Sequence, residues 1–103
     1  MRKQLFWLIQ GHDGTKCFFA KTVAIGQFTD YQVRDLLRAM TAKASLSYPE
    51  MMEAYASRRT KAYAARLDVH KDSTCQMYMC GSNPHFTASI VDVAGKLIVN
   101  PTV

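Results

Sequence analysis

Cysteine is scarce in this chain, and so are tryptophan and proline. Three cysteines occur among 103 residues, an odd number and too few for a disulfide scaffold. If Cys75 and Cys80 share one strand, they lie on opposite faces and roughly 16 Å apart, beyond the reach of a disulfide. We therefore expect reduced thiols in a reducing compartment, and a cytoplasmic protein.

Long hydrophobic runs are also lacking. The apolar run Leu5–Ile9 stops at Gln10, far short of the ~18–20 residues that span a bilayer. It is also too short for the apolar core of a signal peptide, and no small-residue cleavage site follows it. We expect no membrane association.

The bulk composition is that of an ordinary globular protein. Hydrophobic residues make up 49% of the chain and charged residues 20%, which argues against wholesale disorder. A length of 103 residues suits one domain over residues 1–103. The chain contains neither an internal repeat nor a low-complexity tract.

Two helix-start motifs lie close together in the middle of the chain. Thr29 precedes Gln32 by three positions, and Ser47 precedes Glu50 by three, the spacing of a capping box. The first motif opens a helix over about residues 30–44, with an apolar stripe formed by Val33, Leu36, Leu37, Met40 and Ala44. The second opens a helix at Tyr48, and the short link between them predicts neighbouring packed helices.

The end of the second helix is open to two interpretations. Alanines at 62, 64 and 65 favour helix. The alternation of apolar and polar residues from Tyr63 to His70 instead has the period of a strand. We predict helix to about Tyr63 and strand from about Arg66.

The remaining segments have the pattern of strands separated by turns. Asp13-Gly14 is a hairpin-turn pair, and Pro101 ends the last segment. The predicted strands are residues 3–10, 16–25, 75–80, 86–93 and 96–100. These elements predict an α+β fold in the order ββααβββ, with one more strand possible. An antiparallel sheet of five or six strands would carry the two adjacent helices on one face.

Positive charge is concentrated in one segment. Residues 58–71 contain five basic residues and a single acidic one, which suits an acidic partner. If this segment is helical, Arg59, Tyr63 and Arg66 share a face that could hold phosphates and stack bases. If the segment is a strand instead, Tyr63 and Arg66 point to opposite faces. In a further alternative, the arginines are solvated or ion-paired with Glu50 and Glu53. The candidate binding residues are Arg58, Arg59, Lys61, Tyr63 and Arg66.

Residues with catalytic or metal-binding chemistry show no convincing constellation. His12, His70 and His85 all lie near predicted turns; two histidines with a lysine would suffice for metal-independent RNA cleavage. The spacing of Cys75, Cys80 and His85 lacks the close Cys-x2-Cys pair of structural zinc sites. Cys80 has no helix N-terminus behind it to activate a thiolate. We predict no catalytic site, metal site or cofactor.

The sequence therefore favours a small non-catalytic protein-protein interaction module, of accessory, inhibitor or immunity-like type, whose partner has an acidic surface. The first alternative is a nucleic-acid-binding module that uses the basic 58–71 segment. The second is a small metal-independent ribonuclease that uses His12 and His85. Strands 75–80 and 86–93 carry few charges, so an edge of either could pair with a second copy in a homodimer. Met77 and Met79 are predicted to line the core.

Overall fold

The fold consists of a five-stranded antiparallel sheet and two consecutive α-helices, of which the first packs on the sheet. The computed structural model describes residues 4–72, 77–82 and 84–97. The elements are β1 (Leu5–Asp13), β2 (Lys16–Ala24), α1 (Asp30–Ser45), α2 (Tyr48–Tyr55), β3 (Val69–Asp72), β4 (Met77–Gly81) and β5 (His85–Asp92). The strand order in the sheet is β2-β1-β5-β4-β3. The predicted α+β class and the order ββααβββ are confirmed.

The core lies between the sheet and α1. Val33 and Leu37 of α1 are fully buried. They pack in one cluster with Trp7 of β1 and with the inward-facing residues of β4 and β5. The inward-facing residues of β1 and β5 lie opposite one another in the sheet. Trp7 pairs with Ile90, and the next inward-facing residue on each strand is two positions further along.

The residues of β4 that face the core are the alternate set to those predicted. Tyr78 and Cys80 are the buried residues of this strand, whereas Met79 is exposed and Met77 only half-buried. The prediction that Met77 and Met79 line the core is therefore wrong. Cys75 lies outside the described residues.

Both predicted capping boxes are present. The Thr29 hydroxyl accepts from the Gln32 backbone N–H at 3.1 Å, and Gln32 accepts in return from the Thr29 N–H at 2.9 Å. Ser47 and Glu50 make the same reciprocal pair at the start of α2. The two helices begin where the sequence predicts.

The second helix is shorter than predicted, because it ends at Tyr55 rather than near Tyr63. Ala56 is extended, with φ −66° and ψ 158°, and Ser57 then organises a turn. The Ser57 carbonyl accepts from both the backbone N–H and the hydroxyl of Thr60, a local alternative to helix. The following strand begins at Val69, not at Arg66.

The edges of the sheet are not the strands expected to pair with a second copy. β4 and β5 each have a neighbour on both sides, and the edges are β2 and β3. β2 carries Lys16 and Lys21, and its pairing with β1 is irregular next to Gly11. Lysines and bulges discourage edge-to-edge pairing. Homodimerisation stays a prediction, but the edges proposed for it are already paired within the chain.

Only the first two residues of the predicted strand 96–100 are described. Leu97 forms an isolated antiparallel bridge with Val91, and the rest of the predicted strand 96–100 lies outside the described residues. Over the described ranges, no helix has the length and apolar character needed to cross a membrane.

Candidate functional site

The outer side of α2 presents three large side chains to solvent. Tyr48, Met52 and Tyr55 are 85%, 75% and 65% exposed. Their spacing of four and three residues places them on one side of the helix. No residue of α2 is buried. We call these three residues the α2 face.

The opposite side of α2 is held by ion pairs. The guanidinium of Arg66 lies 3.0 Å from Glu50 and 3.0 Å from Glu53. The chain following the helix also runs back along it, because the Ala64 N–H donates to the Glu53 carbonyl at 3.0 Å. In addition, the backbone N–H of Ser47 lowers the pKa of the Glu50 carboxyl. These contacts fix the helix without covering the α2 face.

A basic turn adjoins the C-terminal end of α2. We use this name for Arg58, Arg59 and Lys61, all of which are exposed. A depression lined by Met52, Ala56 and Ala62, among others, lies between α2 and the residue that follows the basic turn. Arg59 and Lys61 make no ion pair within the described part of the chain. Their charges are therefore uncompensated there.

A polar cleft of about 460 Å³ lies beside the basic turn, between α1 and the segment after α2. In it, the Arg58 guanidinium lies 5.2 Å from the centre of the Tyr63 ring. Both side chains also reach Asp68: the Tyr63 hydroxyl donates to it at 3.3 Å, and Arg58 lies 3.4 Å from it. Arg38 on the facing wall is paired with Asp35 at 2.8 Å. Each of these two arginines thus already has a carboxylate partner.

The five predicted binding residues fall into three structural environments. Arg58 and Tyr63 meet in the cleft, and Arg59 and Lys61 lie in the basic turn, where neither is ion-paired to a described residue. Arg66 is occupied by the two glutamates of α2, which is the ion-paired alternative raised from the sequence. The helical face that was to join Arg59, Tyr63 and Arg66 is absent, because α2 ends before all three.

Sequence reasoning missed Tyr48 as a candidate surface residue. Its spacing to Met52 and Tyr55 is visible in the sequence. What the spacing does not reveal is which side of the helix is covered. That depends on Arg66, which reaches α2 from 13 residues beyond Glu53.

Two of the three histidines come together. His12 and His85 are paired residues on β1 and β5, and their rings stack with centroids 5.0 Å apart and planes 15° apart. His70 is on β3, which is separated from β5 by β4. For RNA cleavage, base and acid must reach different oxygens around one phosphate, and stacked rings at this distance leave no room for a phosphate between them. The ribonuclease hypothesis remains a prediction.

The cysteines differ in accessibility. Cys80 is fully buried, and this burial raises the pKa of its thiol, so it is a poor nucleophile. Cys17 is exposed on β2. Among the described residues, no group of three or more histidine, cysteine or acidic side chains could hold a metal ion.

Comparisons of the chain with protein-family models, with curated proteins and with solved structures gave no match.

Proposed function

We propose that this chain is a non-catalytic protein-binding module. It docks through the α2 face onto an apolar groove of a partner protein, and the basic turn contacts acidic residues at the rim of that groove. The observation that carries the proposal is the exposure of Tyr48, Met52 and Tyr55 on one side of a helix. A helix whose apolar side inserts into a groove is a recurrent mode of protein recognition.

The residue types support a protein partner. Tyrosine and methionine are enriched in protein interfaces, and tyrosine is common among the residues that dominate binding energy. The helix is also preorganised, because its capping box, Pro49 and the Arg66 ion pairs hold it before any partner arrives. A preformed helix loses less conformational entropy on binding.

The charge near the helix supports an acidic partner. Glu50 and Glu53 share the single positive charge of Arg66, so these three residues keep one net negative charge. The two cations Arg59 and Lys61, which have no ion-pair partner among the described residues, exceed it. Arg59 and Lys61 then dominate the field at the C-terminal end of the α2 face. Complementary charge at an interface rim mainly raises the association rate and selects the partner.

Site-directed photo-crosslinking tests the proposal. A photoreactive amino acid replaces Met52 in one variant and exposed Lys43 of α1 in a control. We expect one stoichiometric protein adduct from position 52 and none from position 43. The adduct is identified, and its affinity for the wild-type chain is measured with purified components.

The interface is then checked by substitution. We expect Tyr55→Ala and Met52→Ser each to weaken binding by about tenfold or more. Tyr31→Ala, at an equally exposed tyrosine of α1, is expected to have no effect. Arg59→Ala with Lys61→Ala should slow association more at low salt than at high salt. Equal crosslinking from both positions, or unchanged affinity in the α2 variants, contradicts the proposal.

The nucleic-acid alternative is supported by the stacking of Arg58 on Tyr63. Against it, the cleft that holds this pair also contains Asp35 and Asp68, whose charges oppose a phosphate backbone. The test is the salt dependence of binding to single-stranded RNA and DNA. A steep loss of affinity with salt that disappears in Arg58→Ala favours this alternative over the protein-binding module.

We also propose a cytoplasmic location. Cys17 and Cys80 are both free thiols, which suits a reducing compartment.

A further inference from the structure

The edge strand β2 extends beyond the helix that covers the sheet. α1 packs mainly against β3, β4 and β5, so the inward-facing side of β2 is only partly covered. Three residues of β2 lie on this side, because their register partners on β1 are buried and face inward: Phe19, Lys21 and Val23. Phe19 is 39% exposed, so the helix leaves this ring in contact with water.

An apolar groove of about 260 Å³ lies between this side of β2 and α1. Phe19 and Val23 line it from the strand, and Leu36 and Met40 line it from the helix. Phe28, in the short segment that joins the two elements, also contributes to the lining. All of these side chains except Phe19 are half-buried. The groove is therefore accessible from solvent and offers apolar surface to a ligand.

One positive charge lies at this groove. Lys21 is exposed, and among the described residues that line the groove it alone is charged. It makes no ion pair within the described ranges. Lysine side chains lay their methylene groups along apolar surface and keep the ammonium group in water. The groove thus combines apolar walls with a single uncompensated cation.

We propose that the groove binds a small apolar carboxylate of the fatty-acid class. The hydrocarbon chain lies against Phe19, Leu36 and Met40, and the carboxylate pairs with the ammonium group of Lys21. The volume is just below the ~300–1,000 Å³ of sites that hold drug-sized ligands, which suits a chain of about ten carbons. The charge selects the class, because Lys21 attracts an anion and repels a cationic amphiphile.

Protection of the sheet edge is the competing explanation for Lys21. An inward-pointing charge on an edge strand discourages pairing with another chain, and it does so without any ligand. The two explanations differ in what an amphiphile does. Only a binding groove takes up a carboxylate in a saturable way and prefers it to a cationic amphiphile with the same hydrocarbon chain.

The test uses the full chain with carbon-13-labelled methionine methyl groups, titrated with sodium decanoate at neutral pH and below its micelle concentration. The NMR signal of the Met40 methyl group is expected to shift and to saturate at sub-millimolar decanoate. Met52, on the α2 face, is the internal control, and its signal should not move. Octanoate should bind about ten- to fifteenfold more weakly, since each of the two missing methylenes contributes about three- to fourfold.

Substitutions of Lys21 test the selection of charge. Lys21→Gln should weaken decanoate binding about three- to tenfold and leave the binding of uncharged 1-decanol unchanged. Lys21→Glu should reverse the preference, so that decylammonium binds more tightly than decanoate. Lys16→Gln, at an exposed lysine of the same strand that does not line the groove, is the matched control. It should bind decanoate as the wild type does.

Three results would overturn the proposal. Absence of a saturable Met40 shift means that the groove takes up no apolar carboxylate, which is also expected if a second copy or another part of the chain fills it. Equal shifts of Met40 and Met52 indicate non-specific association. An unchanged preference for decanoate in Lys21→Glu shows that Lys21 does not select the ligand. The groove shares no residue with the α2 face, so none of these results decides the photo-crosslinking test.

Discussion

The hydroxyl of Tyr78, on β4, donates a hydrogen bond to the carboxylate of Asp30 in the first turn of α1. Arg34, one turn later, lies 2.9 Å from Asp30 and donates to the same hydroxyl at 3.3 Å. Its guanidinium also lies 4.9 Å from the centre of the Tyr78 ring. Through these contacts Tyr78 anchors the first turns of α1 to the sheet.

Replacement of Tyr78 by phenylalanine tests this link. The ring and its packing remain, but Asp30 and Arg34 lose a shared hydrogen-bond partner. We expect Tyr78→Phe to lower the free energy of unfolding by about 1–2 kcal/mol. Tyr31→Phe, which removes a hydroxyl from an exposed ring, should change it little. Urea denaturation measures both, and an equal loss in the two variants would show that the link contributes nothing.

Tyr78 also predicts a loss of stability in alkali. Burial, reinforced by the hydrogen bond to Asp30, raises the pKa of Tyr78 above its ordinary value of 10.0. The unfolded chain therefore releases this proton at a lower pH than the folded chain does. The stabilisation is complete below pH 10 and is lost as the pH rises through the folded pKa. Unfolding measured at increasing pH should show this decline in the wild type and a weaker one in Tyr78→Phe.

A side chain at position 11 is expected to clash with neighbouring rings of the sheet. A Cβ atom at this position would lie 2.8 Å from Phe86 Cε1 and 2.9 Å from Phe18 Cζ, and these two rings pack edge to face. We expect Gly11→Ala to destabilise the fold by about 1–3 kcal/mol, because buried Phe86 has little room to move. At Gly26 a Cβ meets nothing within 4 Å, so Gly26→Ala is the control. Thermal unfolding compares the two, and similar Tm values would contradict the expectation.

Alanine substitution is expected to destabilise α2 at Arg66 but not at Arg59, although both arginines belong to the basic segment. Arg66→Ala removes both ion pairs of α2, and since these groups are more than a third exposed we expect only a small loss of stability. Hydrogen exchange at the α2 amides should accelerate in this variant. Arg59→Ala should leave stability and exchange unchanged. Faster exchange in both variants would mean that the basic turn itself supports the helix.

The parts of the fold that the sequence predicts are those that depend on local contacts. The reciprocal bonds of Thr29 with Gln32, and of Ser47 with Glu50, join residues three apart. At the Asp13-Gly14 turn, Asp13 pairs directly with Lys16 across the hairpin. Gly14 has the positive φ, 63°, that such a turn favours. Each of these contacts is determined within one turn of chain, so residue type and spacing are sufficient to predict it.

The parts that were wrong or missed depend on distant contacts. Besides the local turn between Ser57 and Thr60, the end of α2 at Tyr55 depends on a backbone bond from Ala64 and on Arg66. Together these contacts outweigh the helix propensity of the following alanines. The approach of His12 to His85 joins residues 73 positions apart through the register of β1 with β5. Strand parity alone does not predict which strands become neighbours.

Because α2 has no buried residue, the residues on its surface and the residues that stabilise the core are different residues. Substitutions at Tyr48, Met52 and Tyr55 leave untouched the cluster between α1 and the sheet that holds the protein together. Selection can therefore change the exposed surface of this helix with little risk to folding. Related chains should retain Val33, Leu37 and Trp7 while drifting rapidly at the three outer positions of the second helix.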